Sequence, residues 1–369
     1  MLRALLCVLL GASLVATSAQ QPKEKAKAPP RIAIDDPDKL KDDADFKEQG
    51  EYVGELTTAD GKAHKFGANV VALGEGKFAL KMFSGGLPGD GWDGKTITTG
   101  ELARGAPGAA TPRDPKQQLF GGIADGKLTL EDTKGTKGTL TKTERKSSTL
   151  GAKPPEGAVV LWGGPDDAAK WDRARVAELS DGKFLSVRDR AGDLRSKQAF
   201  GSFKAHVEFR LAWMPNSLGQ GRSNSGVYFQ DRYECQVLDS FGLKGENNEC
   251  GGIYTQHKPS VNMCLPPMQW QTYDIEFTAA KYDGLLALSA VLGGAAYEPS
   301  FKSPTYPAPK KTANARLTML HNGVRVHDNV EFPKECPGGK AEGAAAGPFR
   351  LQDHGDPVVY RNFWVVETK

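Results

Sequence analysis

The sequence has 369 residues, 39% hydrophobic and 25% charged, with a formal net charge of +3. That balance excludes a globally disordered chain and gives no net bias toward nucleic acid or an anionic membrane. The 43 Gly and 23 Pro mean frequent turns, so many short strands are expected rather than long helices.

The chain opens MLRALLCVLLGASLVATSAQQ. Arg3 is a short positive start, Ala4 to Val15 an apolar run, and Thr17, Ser18 and Ala19 a small-residue cleavage site. Residues 1–19 are therefore expected to be a secretory signal peptide. The protein is then secreted or periplasmic, with no stable membrane insertion after cleavage. Past this leader no run approaches the roughly 18 apolar residues of a membrane-spanning helix.

Residues 20–44 are charged and Pro-rich and read as a linker. Residues 45–143 predict a small β-rich accessory domain, with strands at Tyr52–Leu56, Asn69–Leu73, Lys77–Met82 and Lys127–Glu131. Their turn signals are Asp60-Gly61, Glu75-Gly76 and Asp125-Gly126. The segment GDGWDGKT, from Gly89 to Thr96, satisfies a phosphate-loop pattern. Phosphate binding needs a helix N-terminus after the loop, and the β-branched sequence here predicts a glycine-rich turn instead.

Residues 144–157 read as a second linker. From 158 to 369, strand patterns recur roughly every ten residues. They include Phe203–Leu211, Ser225–Phe229, Tyr233–Leu238, Thr272–Thr278, Leu285–Leu292, Arg316–Leu320, Val324–Val326 and Phe363–Val366. FKAHVEFRL alternates, with Phe203, Ala205, Val207, Phe209 and Leu211 on one side. His321 and His327 flank Asn322-Gly323, a hairpin turn. The fold expected is all-β, a two-sheet antiparallel jelly-roll sandwich behind the small β-rich domain.

Four cysteines follow the leader: Cys235, Cys250, Cys264 and Cys336. An oxidising compartment permits two disulfides, and Cys250 with Cys264 is the pairing favoured, since both sit in loop-like sequence. No CxxC, HExxH or GxSxG is present. No metal or cofactor is predicted: loop carboxylates such as Glu246, Glu249 and Asp353 are too scattered to specify calcium.

The most informative block is SNSGVYF (Ser223–Phe229) followed by YECQVLDS (Tyr233–Ser240). On a regular strand Glu234 and Gln236 share one side while Cys235 and Val237 share the other. A carboxylate beside an amide suits the open face of a sandwich sheet, and a β-bulge would bring Asp239 to the same side. This layout resembles the E-x-D-x-x-E strand of laminarinase-like retaining glycosidases, whose two carboxylates act as nucleophile and acid/base. Gln236 takes the place of the middle carboxylate, and Asp239 is shorter than Glu.

A closer resemblance spans 158 to the C-terminus. Its motifs are FGSFKAHVEFR ending at Arg210, SNSGVY, YECQVLDS, GIY ending at Tyr254, Asn262, WQTY starting at Trp270, HNGV starting at His321, GPFRLQDHG starting at Gly347, and YRNFW starting at Tyr360. The chain is similar to the 3-keto-disaccharide hydrolase family. The resemblance implies a concanavalin-like sandwich, a carbohydrate substrate, and an enzyme cleaving 3-keto-glycosides.

A C3 keto group acidifies the C2 proton, so proton abstraction, elimination of the C1 substituent and hydration become available. That route needs a base, an enolate stabiliser and an acid, but no nucleophilic carboxylate. Glu234 or Asp239 is the candidate base, His354 the proton shuttle and Arg361 the enolate stabiliser. Asn224, Gln236, Gln352, Asp353 and Asn362 suit sugar hydroxyls, while Tyr254 and Trp270 suit a pyranose face. A non-catalytic lectin-like module and a laminarinase-like endo-glucanase stay open as alternatives.

Overall fold

Tight turns organise the first half of the chain. Glu75 and Gly76 take φ of 54° and 73°, and Asp125 and Gly126 take 51° and 69°. Two successive left-handed residues give the hairpin turn whose twist matches its strands. The computed structural model describes residues 31–105, 108–110, 119–283 and 309–368. The expected leader and the expected strand Leu285–Leu292 lie outside the described residues.

After a short helix α1 (Ala44–Glu48) come strands β1 (Gly50–Thr57), β2 (Ala63–Gly74), β3 (Lys77–Ser84) and β4 (Ile97–Ala103). Then follow β5 (Gly108–Ala110), β6 (Leu119–Ala124), β7 (Lys127–Asp132) and β8 (Lys137–Thr143). They pair antiparallel in the order β4-β3-β2-β1-β8-β7-β6-β5. A bridge between Arg104 and Ile123 draws the two ends together, curling the sheet into a barrel around Tyr52, Leu56, Val70, Phe78, Leu80 and Leu140. The phosphate-loop look-alike is a turn leading into β4, with no helix after it.

The sandwich begins with β9 (Val159–Trp162), β10 (Trp171–Asp172), β11 (Val176–Leu179), β12 (Gly182–Val187), β13 (Leu194–Phe200) and β14 (Ser202–Leu211). It continues with β15 (Asn224–Phe229), β16 (Tyr233–Leu238) and β17 (Trp270–Thr278). A small hairpin, β18 (Lys281–Asp283) and β19 (Lys310–Ala313), precedes β20 (Ala315–His321), β21 (Val324–Phe332), β22 (Gly347–Leu351) and β23 (Val358–Thr368). One sheet runs β10-β13-β22-β15-β16, and the other β11-β12-β23-β14-β17-β20-β21, with β9 also on β23. Phe203, Val207 and Phe209 from one sheet meet Val227, Phe229, Phe349 and Leu351 from the other. The jelly-roll-type sandwich expected from strand spacing is the fold observed.

Residues 31–368 form one compact unit, and within the stretches read as linkers, residues 34–43 and 145–152 pack against their neighbours. Ile34 bridges Trp213, whose indole N–H donates to Asp43 (2.9 Å) and whose ring joins the barrel core. Ser147 and Thr149 hydroxyls bond Thr272 at 2.6 and 2.9 Å, and the Gly151 N–H donates to Glu208 at 2.6 Å. This cover helps bury Glu208 and Arg210, on the polar side of β14, while His206 lies between Asp274 and the Trp364 ring.

The expected Cys250–Cys264 disulfide is not formed. All four described cysteines are free and buried. The loops carrying them fold inward and make both thiols core side chains: Cys250 Sγ lies 3.2 Å from the Tyr273 hydroxyl, and the Cys264 thiol donates to Leu238 O at 3.5 Å. Among the described residues no helix is long and apolar enough to cross a membrane.

Candidate functional site

The hairpin β15–β16 builds the site by strand alternation. Val227, Phe229, Tyr233, Cys235 and Val237 enter the core. Asn224, Gly226, Tyr228, Glu234 and Gln236 therefore project from the opposite face of the five-stranded sheet. Tyr228 pairs across the ladder with Glu234, and Gly226 with Gln236. The Glu234 carboxylate accepts a hydrogen bond from the Tyr228 hydroxyl at 2.7 Å, and its other oxygen lies over Gly226. A methyl at Gly226 would overlap that oxygen; here glycine is required by a side chain rather than by its own backbone angle.

Only 3% of Glu234 is exposed. Burial pushes its carboxyl up to about 7, against the opposing pull of the Tyr228 bond and the Arg350 charge. Arg350 lies 3.5 Å over the Tyr228 ring and is held by Asp231 at 3.0 Å. Next along the face, the Gln352 N–H donates to Gly226 O at 2.9 Å, and its side-chain amide stands 3.5 Å from the Tyr228 hydroxyl. The Gln236 amide donates to Asn224 Oδ1 at 2.8 Å. A carboxylic acid that titrates near neutrality thus stands in a row of hydroxyl and amide groups, the equipment for moving a proton to and from a polyhydroxylated ligand. Tyr228→Phe removes a bond that favours the ionised form. The alkaline-going rise of kcat/KM is expected to move to higher pH, with kcat down about tenfold; an unmoved profile would take Tyr228 out of the site.

At the end of this face, Asp356 pairs with Arg31 at 3.0 Å and accepts the backbone N–H of Asn224; burial raises its carboxyl to about 6. His354 stands exposed on the same loop. Partial burial and the charges of Arg190 and Arg31 lower its pKa. Asp353 is a brace for this loop, accepting N–H groups of Arg190, Gly192 and Gly355 at 3.0–3.2 Å and pairing with Arg175 at 3.2 Å.

The remaining sequence candidates lie elsewhere. Asp239 keeps the wrong parity, with no bulge to correct it. It is buried against Arg222 (3.2 Å), whose guanidinium also donates to Ala72 O of the barrel (2.8 Å). Arg361, Asn362 and Trp270 belong to the other sheet and face outward from it, so the sandwich core separates them from Glu234. There Arg361 and Asn362 hold Glu208 at 2.6 and 2.9 Å, and Arg361 lies 3.9 Å over the Trp270 ring. A bulge opposite Val207, with Asn362 at φ 43°, turns both side chains toward Glu208. Burial pushes Glu208 up, but His206, Asn362, Arg361 and the Gly151 N–H outweigh it and hold the carboxyl at about 2. Tyr254 touches the site strand through its backbone, donating to Glu234 O at 3.1 Å.

Tyr228 and Arg350 are the members that sequence reasoning missed. Both were marked by parity: Tyr228 is two positions from Gly226, and Arg350 two from Gln352. Among the described residues no group of three or more His, Cys, Asp or Glu is disposed to hold a metal ion.

Two carboxyl groups raised toward neutrality, Glu234 and Asp356, thus lie along a buried row of amides on the outward side of a sandwich sheet. A family model described as a 3-keto-alpha-glucoside-1,2-lyase-like domain matches residues 157–366, more than half of the chain, and the chain belongs to that family. It is therefore a glycoside-acting enzyme with a carbohydrate substrate. A crystal structure from Parabacteroides distasonis ATCC 8503, provisionally described as a glycosyl hydrolase, is similar at 28% identity and a TM-score of 0.46, over 58% of this chain and 85% of that one. A second structure from the same organism, with the same provisional description, is similar at 14% identity and a TM-score of 0.38, over 61% and 100%. No curated protein matches the chain.

Proposed function

We propose that the protein cleaves 3-keto-glycosides by elimination, with Glu234 as the base. The observation that supports this most is the composition of the Glu234 row. Its neighbour on the strand is the Gln236 amide, so the second carboxylate that double displacement requires is missing from that position. In the proposed reaction the Glu234 carboxylate takes the proton from C2 of the keto sugar. The C2–H electrons form the enolate, whose oxygen at C3 is met by the Gln352 amide, and by the Tyr228 O–H once Glu234 is protonated and no longer takes it. Collapse of the enolate forms the C1=C2 bond and expels the C1 oxygen. His354 is the candidate for carrying a proton to that oxygen. Water then adds to C1 while Glu234 returns its proton to C2, the second water proton goes to His354, and a free 3-keto sugar leaves. Asn224 and Gln236 bind sugar hydroxyls. We also propose, from the leader sequence, that the enzyme works outside the cytoplasm.

The test sets 3-keto-disaccharides beside their unoxidised parents and a β-glucan, all with the purified chain. Release of free sugar from the keto substrates alone is expected, slowed by deuterium at C2. Cleavage of the parents or of β-glucan, with the keto compounds untouched, would sink the elimination reading.

A further inference from the structure

A cleft of about 590 Å³ lies between the barrel and the loop that follows β16. Its floor is the outward side of β2, β3 and β4, where two ladder rungs align: Asn69–Lys81–Thr99, and Phe83–Ile97 beyond it. Trp92, from the turn that imitates a phosphate loop, forms one wall, and residues 242–249 form the other. The Trp92 indole N–H is spent on Thr96 O (3.1 Å), and Phe83 supports the ring edge-on at 5.3 Å. Ile97 is 42% exposed beside it. An apolar platform is thus fixed in place and left open to solvent.

Two observations point to the ligand. Asn69 is only 6% exposed, lines this cleft, and its Oδ1 has no hydrogen-bond partner. A buried, unmatched acceptor calls for a ligand hydroxyl or amide donor. The charged lining is balanced, Lys81 and Lys244 against Glu101 and Glu249, and the Lys81 ammonium is already bonded to Leu243 O at 2.6 Å. A neutral ligand with an apolar face and a hydroxyl-bearing edge matches this set.

We propose that this cleft is a saccharide-binding subsite, in which a neutral sugar ring stacks on Trp92 and donates a hydroxyl to Asn69 Oδ1. It is separate from the Glu234 face and does not rest on the cleavage reading. The loop forming its wall connects the two: Gly252 of the same loop accepts the Gln236 N–H at 2.9 Å.

Calorimetric titration of the full chain carrying Glu234→Gln with laminarihexaose, cellohexaose and maltohexaose tests the proposal. Saturable binding of at least one is expected. Trp92→Ala, and Thr99→Arg, which fills the cleft from an exposed position, should each weaken it at least tenfold while the melting transition persists. Should Trp92→Ala not fold, Thr99→Arg decides. Binding of none of the three, or affinity unchanged in the folded variants, overturns the proposal. Turnover of a small 3-keto-disaccharide by Trp92→Ala or Thr99→Arg reports separately on the cleavage reading.

Discussion

Glu234→Gln is expected to abolish turnover, by more than 100-fold in kcat, while making the fold more stable at pH 8. The two effects have one origin. Burial raises the carboxyl from its ordinary value of 4.5 to about 7. Between those values the unfolded chain has released its proton and the folded chain still holds it, so stability falls as pH rises through that window. A shift of this size corresponds to about 3 kcal/mol lost in full above pH 7. Glutamine keeps an oxygen for the Tyr228 hydroxyl and carries no charge, so the variant escapes the loss. Urea unfolding at pH 5 and pH 8 checks this: the gain should appear at pH 8 and nearly vanish at pH 5. The wild-type kcat/KM should rise toward a plateau above pH 7, since the base works ionised. A gain equal at both pH values, or surviving turnover, would sink the assignment.

Asp239→Asn is expected to cost roughly 3–5 kcal/mol of stability while leaving the rate per folded molecule unchanged. Burial raises the Asp239 carboxyl, and the Arg222 charge opposes that shift. Both partners are almost wholly buried. Neutralising one leaves the guanidinium without a counter-charge, and breaking such a pair costs far more than the intact pair contributes. Because Arg222 also holds Ala72 O, the loss falls on the joint between barrel and sandwich. Replacing both, Arg222→Met with Asp239→Leu, should recover much of it. Denaturant midpoints and active-site-normalised kcat separate the two roles; a lowered rate with unchanged midpoint would return Asp239 to the catalytic set.

The strand ladder of both halves was legible because alternation and turn chemistry are local. Glu75-Gly76 and Asp125-Gly126 carry their hairpins in two letters, and FKAHVEFRL carries its core side in nine. The Glu234 row was legible for the same reason, since parity within one hairpin decides which side chains are neighbours. Arg361 and Trp270 were not, because the sheet a strand joins is decided by pairings far away in sequence. Arg361 meets Glu208 across a sequence separation of 153. Nor could spacing show that residues 144–157 lie across β14. Their polar composition fits a free tether and an anchored strap equally well, and only Glu208, Thr272 and Asp274 waiting on the sheet distinguish them.

Strand β16, which carries Glu234, is the outermost strand of its sheet, and such a margin normally stands open to any passing extended peptide. Here the returning chain occupies it. Gly252 O takes the Gln236 N–H, the Gly251 N–H meets Gln236 O, and the Tyr254 N–H meets Glu234 O. The main chain of the acid-bearing strand is thereby engaged on both flanks. A ligand must read this surface through side chains alone, which favours the hydroxyl-rich outline of a sugar and shuts out recognition by backbone zippering.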